Sequence, residues 1–444
     1  MKYNFRMVRT SLLAMSLIFM MTACGQGNSE EGFSLSDWRE VIRLEWNALM
    51  ERIGFGKDGN DESYSDDSER FKGFDINPDI SVEVHEEDPD PSSDGEEEIE
   101  ARAEGLTGFY FNQLSDDRKD AYEQLYTGIV DRKSEFFIYA QDDADCGPAL
   151  NALVCDHPEF FWIDGNASIY GYEGPGAKKI TLEFNIDADA IDSVQSVIDA
   201  ATQEYISMLP ENASSYEKVK IAYDYVIRKA DYMINAPQAQ NIQSVFLYGQ
   251  SVCAGYTRSF QYLLSKVGID SSYIAGTVEH NGALESHAWS MVNIDGTNYM
   301  VDVTWGDPNY GGADVEGKMP DILYNYLCLT TEDMERATHI PDPTFAYPVC
   351  ESRDYNYYLL NGYYHEYCDR EEIRAALQTA VENGETSVHF KFSNFDEYAA
   401  AVSAIFDEGL LNEALQLRMQ WDGLESMSYY PMNDDALCTI DIYW

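Results

Sequence analysis

Two strand-like runs, His287–Ile294 and Thr297–Trp305, are separated by Asp295-Gly296 alone. Asp-Gly is a preferred pair for a two-residue type I′ turn, which joins two antiparallel strands in a set register. Ile294 then faces Thr297, and counting back places Trp289 opposite Asp302. Side chains alternate between the faces of a strand, so His287 shares a face with Trp289. Asp302 becomes the diagonal neighbour of His287 on that face. Diagonal Cα separations of about 7–8 Å suit an imidazole–carboxylate hydrogen bond. A three-residue loop would put the two on opposite faces, so the turn carries this expectation. Such an Asp302 would orient the imidazole and stabilise its cation, as in a catalytic triad.

A nucleophile stands upstream of this hairpin. Cys253 precedes Ala254–Val267, where Tyr256, Phe260, Leu263, Leu264 and Val267 form one apolar stripe and Gly268 supplies the stop. The positive end of a helix dipole favours thiolate over thiol. Helix geometry also leaves the Cys253 backbone N–H without an internal acceptor, free to receive an oxyanion. A buried, inert thiol is the common fate of a lone cysteine. His287 and Asp302 tip the balance toward chemistry.

Three segments carry a family likeness. Tyr248-Gly249-Gln250-Ser251-Val252-Cys253-Ala254-Gly255-Tyr256, Ser286-His287-Ala288-Trp289 and Asp302-Val303-Thr304-Trp305-Gly306-Asp307-Pro308 resemble, in order, the three catalytic blocks of bacterial members of the transglutaminase-like superfamily. The likeness covers roughly 214–342. It implies an α+β fold with a papain-like core, the nucleophile helix packed on an antiparallel sheet. It also implies Cys253 as nucleophile, His287 as general base and acid, and Asp302 as orienter, acting on peptide or side-chain amides through a thioester. Water would make the chain a peptidase or amidase, and an amine would make it a transglutaminase. Asn241 and Ser244 stand where such proteins often carry polar residues. Gln243, Gln250 and Tyr232 are candidates for a second oxyanion donor. Trp289, Trp305 and Tyr256 are candidates for the acyl groove, with core packing as the competing role. Glu279 and His280 lie in the loop before His287 and are read as ordinary loop residues. Thiol acyl transfer carries its own nucleophile, so no cofactor is expected.

The N-terminus reads as a targeting segment. Lys2, Arg6 and Arg9 precede an apolar run from Leu12 to Met21, too short to span a bilayer. Met21-Thr22-Ala23-Cys24-Gly25 resembles the lipobox of bacterial lipoproteins, with Met21 where leucine is usual. The resemblance implies cleavage before Cys24, lipidation of its sulfur and a place on the outer face of the cell membrane. Partners would be the membrane, through that lipid, and peptide or protein substrates such as cell-surface or cell-wall peptides. With 79 Asp and Glu against 29 Lys and Arg, the formal net charge of -50 argues against nucleic acid.

Composition then divides the chain. Residues 1–23 are the signal peptide, and 24–104 an acidic, largely disordered tether with a short amphipathic helix around Asp37–Met50. Asp58, Asn60, Glu62, Asp66 and Glu69 fall loosely at calcium-loop positions. Ser63 replaces the glycine and Ser65 the apolar residue such a loop needs, which argues against calcium. Residues 105–208 form an N-terminal α/β region, with a helix from Leu114-Ser115 to Ile129 capped by Ser115, strands at Glu135–Tyr139, Phe160–Ile163 and Lys179–Ile186, and a helix through Ile191–Tyr205. Residues 209–342 are the catalytic core, opened by the capping box Ser214-Ser215-Tyr216-Glu217. Residues 343–444 form a C-terminal α/β region, with a hairpin at Tyr355–Tyr367, helices at Arg370–Val381 and Asp396–Leu417, and strands at Ser387–Phe392 and Cys438–Tyr443.

Cys146, Cys155, Cys328, Cys350, Cys368 and Cys438 are an even set in an exported protein, so disulfides are allowed, with Cys146 and Cys155 the closest pair in sequence. No CxxC or paired His/Cys spacing is present, and no structural zinc site is expected. A function of another class stays open: a surface-displayed binding protein whose triad is vestigial. The complete set of Cys253, His287 and Asp302 counts against it.

Overall fold

The structure, a computed structural model, describes residues 81–85, 101–280, 283–308, 310 and 319–444. The proposed signal peptide, Cys24, the helix around Asp37–Met50 and the calcium-like run lie outside these residues. The acidic segment contributes one described strand, β1 (Ser81–His85), which runs parallel to β3 (Ile163–Tyr170) in a sheet of order β1-β3-β4-β2. Here β2 is Glu135–Ala140 and β4 is Gly176–Phe184. Val82 packs against the main core, so this part of the expected tether is a sheet strand.

The same part of the chain contains α1 (Asp116–Val130), α2 (Cys146–Asp156) and α3 (Ile191–Met208). Ser115 occupies the N-cap of α1 in extended backbone, without a side-chain bond to the helix. Phe160–Trp162, expected as strand, form a turn. Their rings pack on one another and on Tyr126 at 5.3–5.5 Å between centroids, and β3 begins only at Ile163. Strand propensity in aromatics reflects packing, and here a turn satisfies that packing.

The region that carries Cys253 starts with α4 (Ser215–Lys229), whose Ser214–Glu217 capping box is formed in full. Val219, Ala222, Tyr223, Val226 and Ile227 are all buried, the face expected from their spacing. Then come β5 (Asp231–Tyr232), a π-helical turn at Ser244–Tyr248, β6 (Gln250–Ser251) and α5 (Cys253–Ser265). The helix lies on an antiparallel sheet of order β10-β7-β8-β9, where β7 is Ser271–His280, β8 Ala283–Ile294, β9 Thr297–Val301 and β10 Ile340–Pro341. The hairpin register is Ile294 to Thr297, turning at Asp295 (φ 52°) and Gly296 (φ 90°), both left-handed as a type I′ turn requires. β9 ends at Val301, so Asp302 stands just past the strand rather than within it.

One apolar core runs unbroken from Tyr110 to Cys328, joining the first sheet to α5. Polar ties cross the same boundary. Arg258 and Gln261 on α5 donate to the Val154 and Cys155 carbonyls at the end of α2, at 3.1 and 2.9 Å. Helix ends leave such carbonyls without internal partners.

The C-terminal unit has its own apolar core. It contains α6 (Thr331–Arg336) on its approach, then α7 (Tyr357–Leu360), β11 (Tyr364–His365), α8 (Arg370–Glu382), β12 (Ser387–Phe392), α9 (Phe395–Val402), α10 (Leu410–Asp422), β13 (Tyr430–Asp434) and β14 (Thr439–Tyr443), with sheet order β11-β12-β14-β13. The expected hairpin at Tyr355–Tyr367 is instead a short helix, capped by the Asn356 side chain, followed by a strand parallel to β12. The expected single helix at Asp396–Leu417 is broken by a π-helical turn at Ser403–Asp407 and by Gly409, whose φ of 85° starts a new helix.

All seven described cysteines are free thiols. Cys146 and Cys155 sit at opposite ends of α2, about 13 Å apart by helical rise. A disulfide needs Cα atoms within about 7 Å.

Candidate active site

Cys253 is the first residue of α5, half-buried, with Val252 as an extended N-cap that offers no side-chain acceptor. The N–H groups of the first turn therefore stay available to a ligand. The approach to it is tightly packed. The Ser244 and Ser251 hydroxyls bond at 2.6 Å, and Ser251 Oγ also donates to the Ala239 carbonyl at 3.1 Å. Gly255 lies against these groups, and a Cβ there would meet both hydroxyls and stand 2.7 Å from the Ala239 carbonyl.

Three side chains on one face of α5 follow helical spacing: Cys253, Tyr256 and Thr257. The Thr257 hydroxyl donates to the Ala288 carbonyl on β8 at 3.1 Å. The buried Tyr256 hydroxyl bonds the Ala230 carbonyl at 2.6 Å and Asp307 Oδ2 at 2.7 Å. The helix is thus tied to the strand that carries His287 and to the loop that carries Asp302.

His287 is buried, and its Nε2 lies 2.6 Å from Asp302 Oδ2. Cys253 shares a cleft with His287 and lies near enough to raise its proton affinity. With Nε2 on the carboxylate, Nδ1 is the ring nitrogen left for other partners. Asp302 is fully buried and held from several directions. The Trp305 backbone N–H donates to Oδ1 at 3.0 Å, and its own N–H donates to the Tyr326 carbonyl at 3.0 Å.

A second histidine, unforeseen from sequence, meets the same oxygen. His339 Nε2 lies 2.9 Å from Asp302 Oδ2, and its Nδ1 lies 2.9 Å from the Ala337 carbonyl. Its side chain is fully buried. The chain reaches it after α6 through Thr338 (φ 64°), whose hydroxyl and Glu279 main chain exchange bonds of 3.0 and 3.1 Å with β7. β10 then pairs with β7 at Gly276, which faces Pro341 on one side and His287 on the other. A Cβ on Gly276 would stand 2.6 Å from the Trp289 ring and 2.9 Å from Pro341 Cα, and would collide with the Ile340 carbonyl. This glycine lets the His339 segment close over the sheet.

Burial alone would lower the proton affinity of His287. The Asp302 carboxylate, with help from Cys253, outweighs it and raises the His287 pKa to about 10. Burial alone would raise that of Asp302, and the two imidazoles outweigh it, holding the carboxyl well below the usual carboxylate range. Among the described residues, His287, Asp302 and His339 are a group whose ligating atoms lie within 4.8 Å of one another, close enough to consider a metal. Their contacts of 2.6 and 2.9 Å are hydrogen-bond lengths, and we read them as such.

Cys253 and His287 open onto a cleft of ≈ 280 Å³, lined also by Gln240, Ala254, Tyr273, Gly276, Ser286, Pro341 and Asp342. None of the six other side chains singled out from sequence is among its lining residues. Gln243 is buried, and its amide donates to the Phe161 carbonyl and Asn185 Oδ1 at 2.9 and 3.0 Å. Tyr232 is exposed on β5 and Gln250 is half-buried on β6. Tyr256 is a tie rather than a wall. Trp289 is buried with its ring 6.1 Å from His287, and half-buried Trp305 stands 5.7 Å from it. The cleft presents Gln240 as its side-chain amide and Asp342 as its carboxylate. Gln240 lies in the same run of polar residues as Gln243, and no periodicity distinguished the two.

Residues 203–303 match the model of the transglutaminase-like superfamily. The chain is similar to kyphoscoliosis peptidase of Mus musculus, 24% identical over 196 residues, covering 40% of this chain and 29% of that protein. The Homo sapiens protein is 23% identical over 194 residues, with the same coverage. The chain thus spans under a third of the length of these curated relatives. Among solved structures, similar chains include a TGase (15% identity, 35% of this chain and 46% of that one, TM-score 0.23). Others are a putative cysteine protease from Cytophaga hutchinsonii (15% identity, 30% and 55%, TM-score 0.22) and the periplasmic domain of TgpA from Pseudomonas aeruginosa (16% identity, 30% and 56%, TM-score 0.20).

Proposed function

With a transglutaminase-like domain at 203–303 as the premise, we propose that this chain is an extracytoplasmic thiol enzyme that attacks peptide or side-chain amides. The observation that carries the reading is Cys253 and His287 lining one cleft, with His287 bonded to Asp302 at 2.6 Å behind it.

In the first half-reaction Sγ attacks the amide carbon and a C–S bond forms. The carbonyl oxygen takes the charge and is received by the Cys253 N–H at the helix start. The Gln240 side-chain amide is the candidate second donor, in place of Gln243, Gln250 and Tyr232. As the tetrahedral intermediate collapses, the C–N bond breaks and His287 Nδ1 gives its proton to the leaving amine or ammonia. Asp302 holds the ring and stabilises its cation throughout. In the second half-reaction His287 takes a proton from water, the oxygen attacks the thioester, and the C–S bond breaks to return the thiolate.

Hydrolysis is the first reading, and the peptidase names of the curated relatives support it. Transfer to an amine is the second, favoured by Asp342, a carboxylate in the cleft suited to a cationic acceptor. The lipobox-like Met21–Gly25 supports anchoring through Cys24 on the outer face of the cell membrane, with surface peptides within reach. Among the described residues no helix is long and apolar enough to cross a membrane.

The test is mass spectrometry of a glutamine-containing peptide incubated with the enzyme, with and without a primary amine. Cleavage or deamidation that persists with the amine present means hydrolysis. Conjugates that dominate mean transamidation. Neither product, together with Cys253 alkylation that follows an ordinary thiol titration, would overturn the enzymatic reading in favour of a binding protein.

A further inference from the structure

His339 has an acceptor at each ring nitrogen. Nδ1 lies 2.9 Å from the Ala337 carbonyl, which can only accept, and Nε2 lies 2.9 Å from Asp302 Oδ2. A neutral imidazole has one N–H and would leave a lone pair facing an oxygen at hydrogen-bond distance. Oδ2 does not repair this by carrying a proton itself, because the two imidazoles hold Asp302 as the carboxylate, which accepts from both Nε2 atoms. Each of the two nitrogen–oxygen contacts needs its own proton. Two protons on the two Nε2 atoms and a third on His339 Nδ1 satisfy every contact.

We propose that His339 is a positioning residue that stands doubly protonated in the folded protein, pinning Asp302 and offsetting part of its charge, so that Cys253 and His287 exchange a proton within a cluster of zero net charge. With thiol and neutral His287, the carboxylate and the His339 cation cancel. With thiolate and imidazolium, two positive and two negative groups cancel. Without His339 the cluster would carry one negative charge in both states. That charge would hold the His287 proton more tightly and oppose loss of the Cys253 proton. The His339 cation thus keeps His287 able to release its proton to a leaving amine, despite a buried carboxylate beside it.

The groups facing His339 are consistent with this charge. Asp302 comes from the loop after β9, and His287 and Trp289 from β8, with centroids at 5.5 and 5.0 Å. Trp305 lies at 4.6 Å, and Tyr326 at 6.2 Å with its hydroxyl donating to Asp434. Asp302 is the single acidic group in contact, and the aromatic rings around it tolerate a cation.

The protonation state is independent of the acyl-transfer reading, whereas its effect on Cys253 rests on that reading, so the test has two arms. In the first, the full chain labelled with ¹⁵N histidine is examined by NMR from pH 6 to 8, and His339→Gln identifies the His339 signals among the seven histidines. Both His339 ring nitrogens are expected to show imidazolium shifts throughout. A neutral tautomer in that range would overturn the proposal.

In the second arm, Cys253 alkylation is followed against pH in the wild type, His339→Gln and His339→Phe. The acid limb is expected to move up by about one pH unit in both variants, about tenfold slower labelling on the limb. An unmoved limb in the folded His339→Gln protein would overturn the charge-offsetting role. If His339→Phe does not fold, His339→Gln, which keeps an amide donor, decides. If wild-type Cys253 titrates as an ordinary thiol, the acyl-transfer reading falls and the NMR arm alone decides His339.

Discussion

The Thr257 hydroxyl on α5 donates to the Ala288 carbonyl, one residue beyond His287, at 3.1 Å. Both groups are buried, and this bond sets the height of Cys253 over the strand that bears His287. Thr257→Val keeps the shape and removes the donor, leaving a buried carbonyl unpaired. The expected loss is about 1–3 kcal/mol of stability in urea melts. A drop of roughly tenfold in kcat/KM, with KM nearly unchanged, would follow from a small displacement of sulfur against imidazole.

Asp302→Asn removes the charge that outweighs the burial of His287. The His287 pKa, about 10 in the native protein, should fall below its ordinary 6.5 as burial prevails. The alkaline limb of Cys253 labelling should move to lower pH accordingly. The stability consequence has a defined window. A raised histidine value contributes fully below 6.5 and loses its contribution as pH rises toward 10. A depressed Asp302 contributes above 3.8 and loses its contribution as pH falls. Wild type should therefore exceed the variant in stability most between pH 3.8 and 6.5, with the gap narrowing by pH 9.5 in urea melts. A gap that widened with alkali would contradict the assignment.

Gln240→Ala tests the second oxyanion donor. Loss of one such donor costs about 10²–10³ in kcat. The expectation is a fall of that order with KM and Cys253 alkylation little changed, because alkylation forms no oxyanion. Gln243→Ala should instead lower stability, since its amide joins Phe161 and Asn185, and a thermal melt would separate the two variants.

Asp342 supplies the cleft's carboxylate. Asp342→Asn should raise KM for peptides with a lysine beside the scissile amide, or for a cationic acceptor amine, by roughly three- to tenfold, and leave neutral analogues unchanged. Added salt should erase the wild-type preference, because exposed charge pairs are screened over about 8–10 Å. Steady-state kinetics with paired lysine and norleucine substrates would read it.

Gly255→Ala should destabilise by about 1–3 kcal/mol, because a methyl group there meets the Ser251 and Ser244 hydroxyls and the Ala239 carbonyl. Thermal melts would measure this, and a neutral result would mean that the loop before the nucleophile yields.

What sequence reveals follows the range of the forces involved. Asp295-Gly296 is local turn chemistry, and it sufficed to bring His287 and Asp302 together although β9 stops one residue short of Asp302. The Ser214–Glu217 box and the stripe on α5 are equally local. His339 is not: a single histidine between Thr338 and Ile340 has no pattern, and its contact with Asp302 depends on β10 pairing with β7 at Gly276. Gln240 and Gln243 share one polar run, and only tertiary packing assigns one to the cleft and the other to the core. Aromatic runs misled at Phe160–Trp162 and Tyr355–Tyr367, where rings are held by one another rather than by a strand.

The ties from Arg258 and Gln261 to the end of α2 separate two kinds of boundary. The recognisable family segment begins at residue 203, yet the helix carrying Cys253 is anchored to carbonyls at Val154 and Cys155 and shares apolar contacts back to Tyr110. A protein trimmed to the family segment would expose that seam and lose the Val154 carbonyl to which Arg258 donates at 3.1 Å. What matches the family model is therefore smaller than the packed body that holds the Cys253 helix in place.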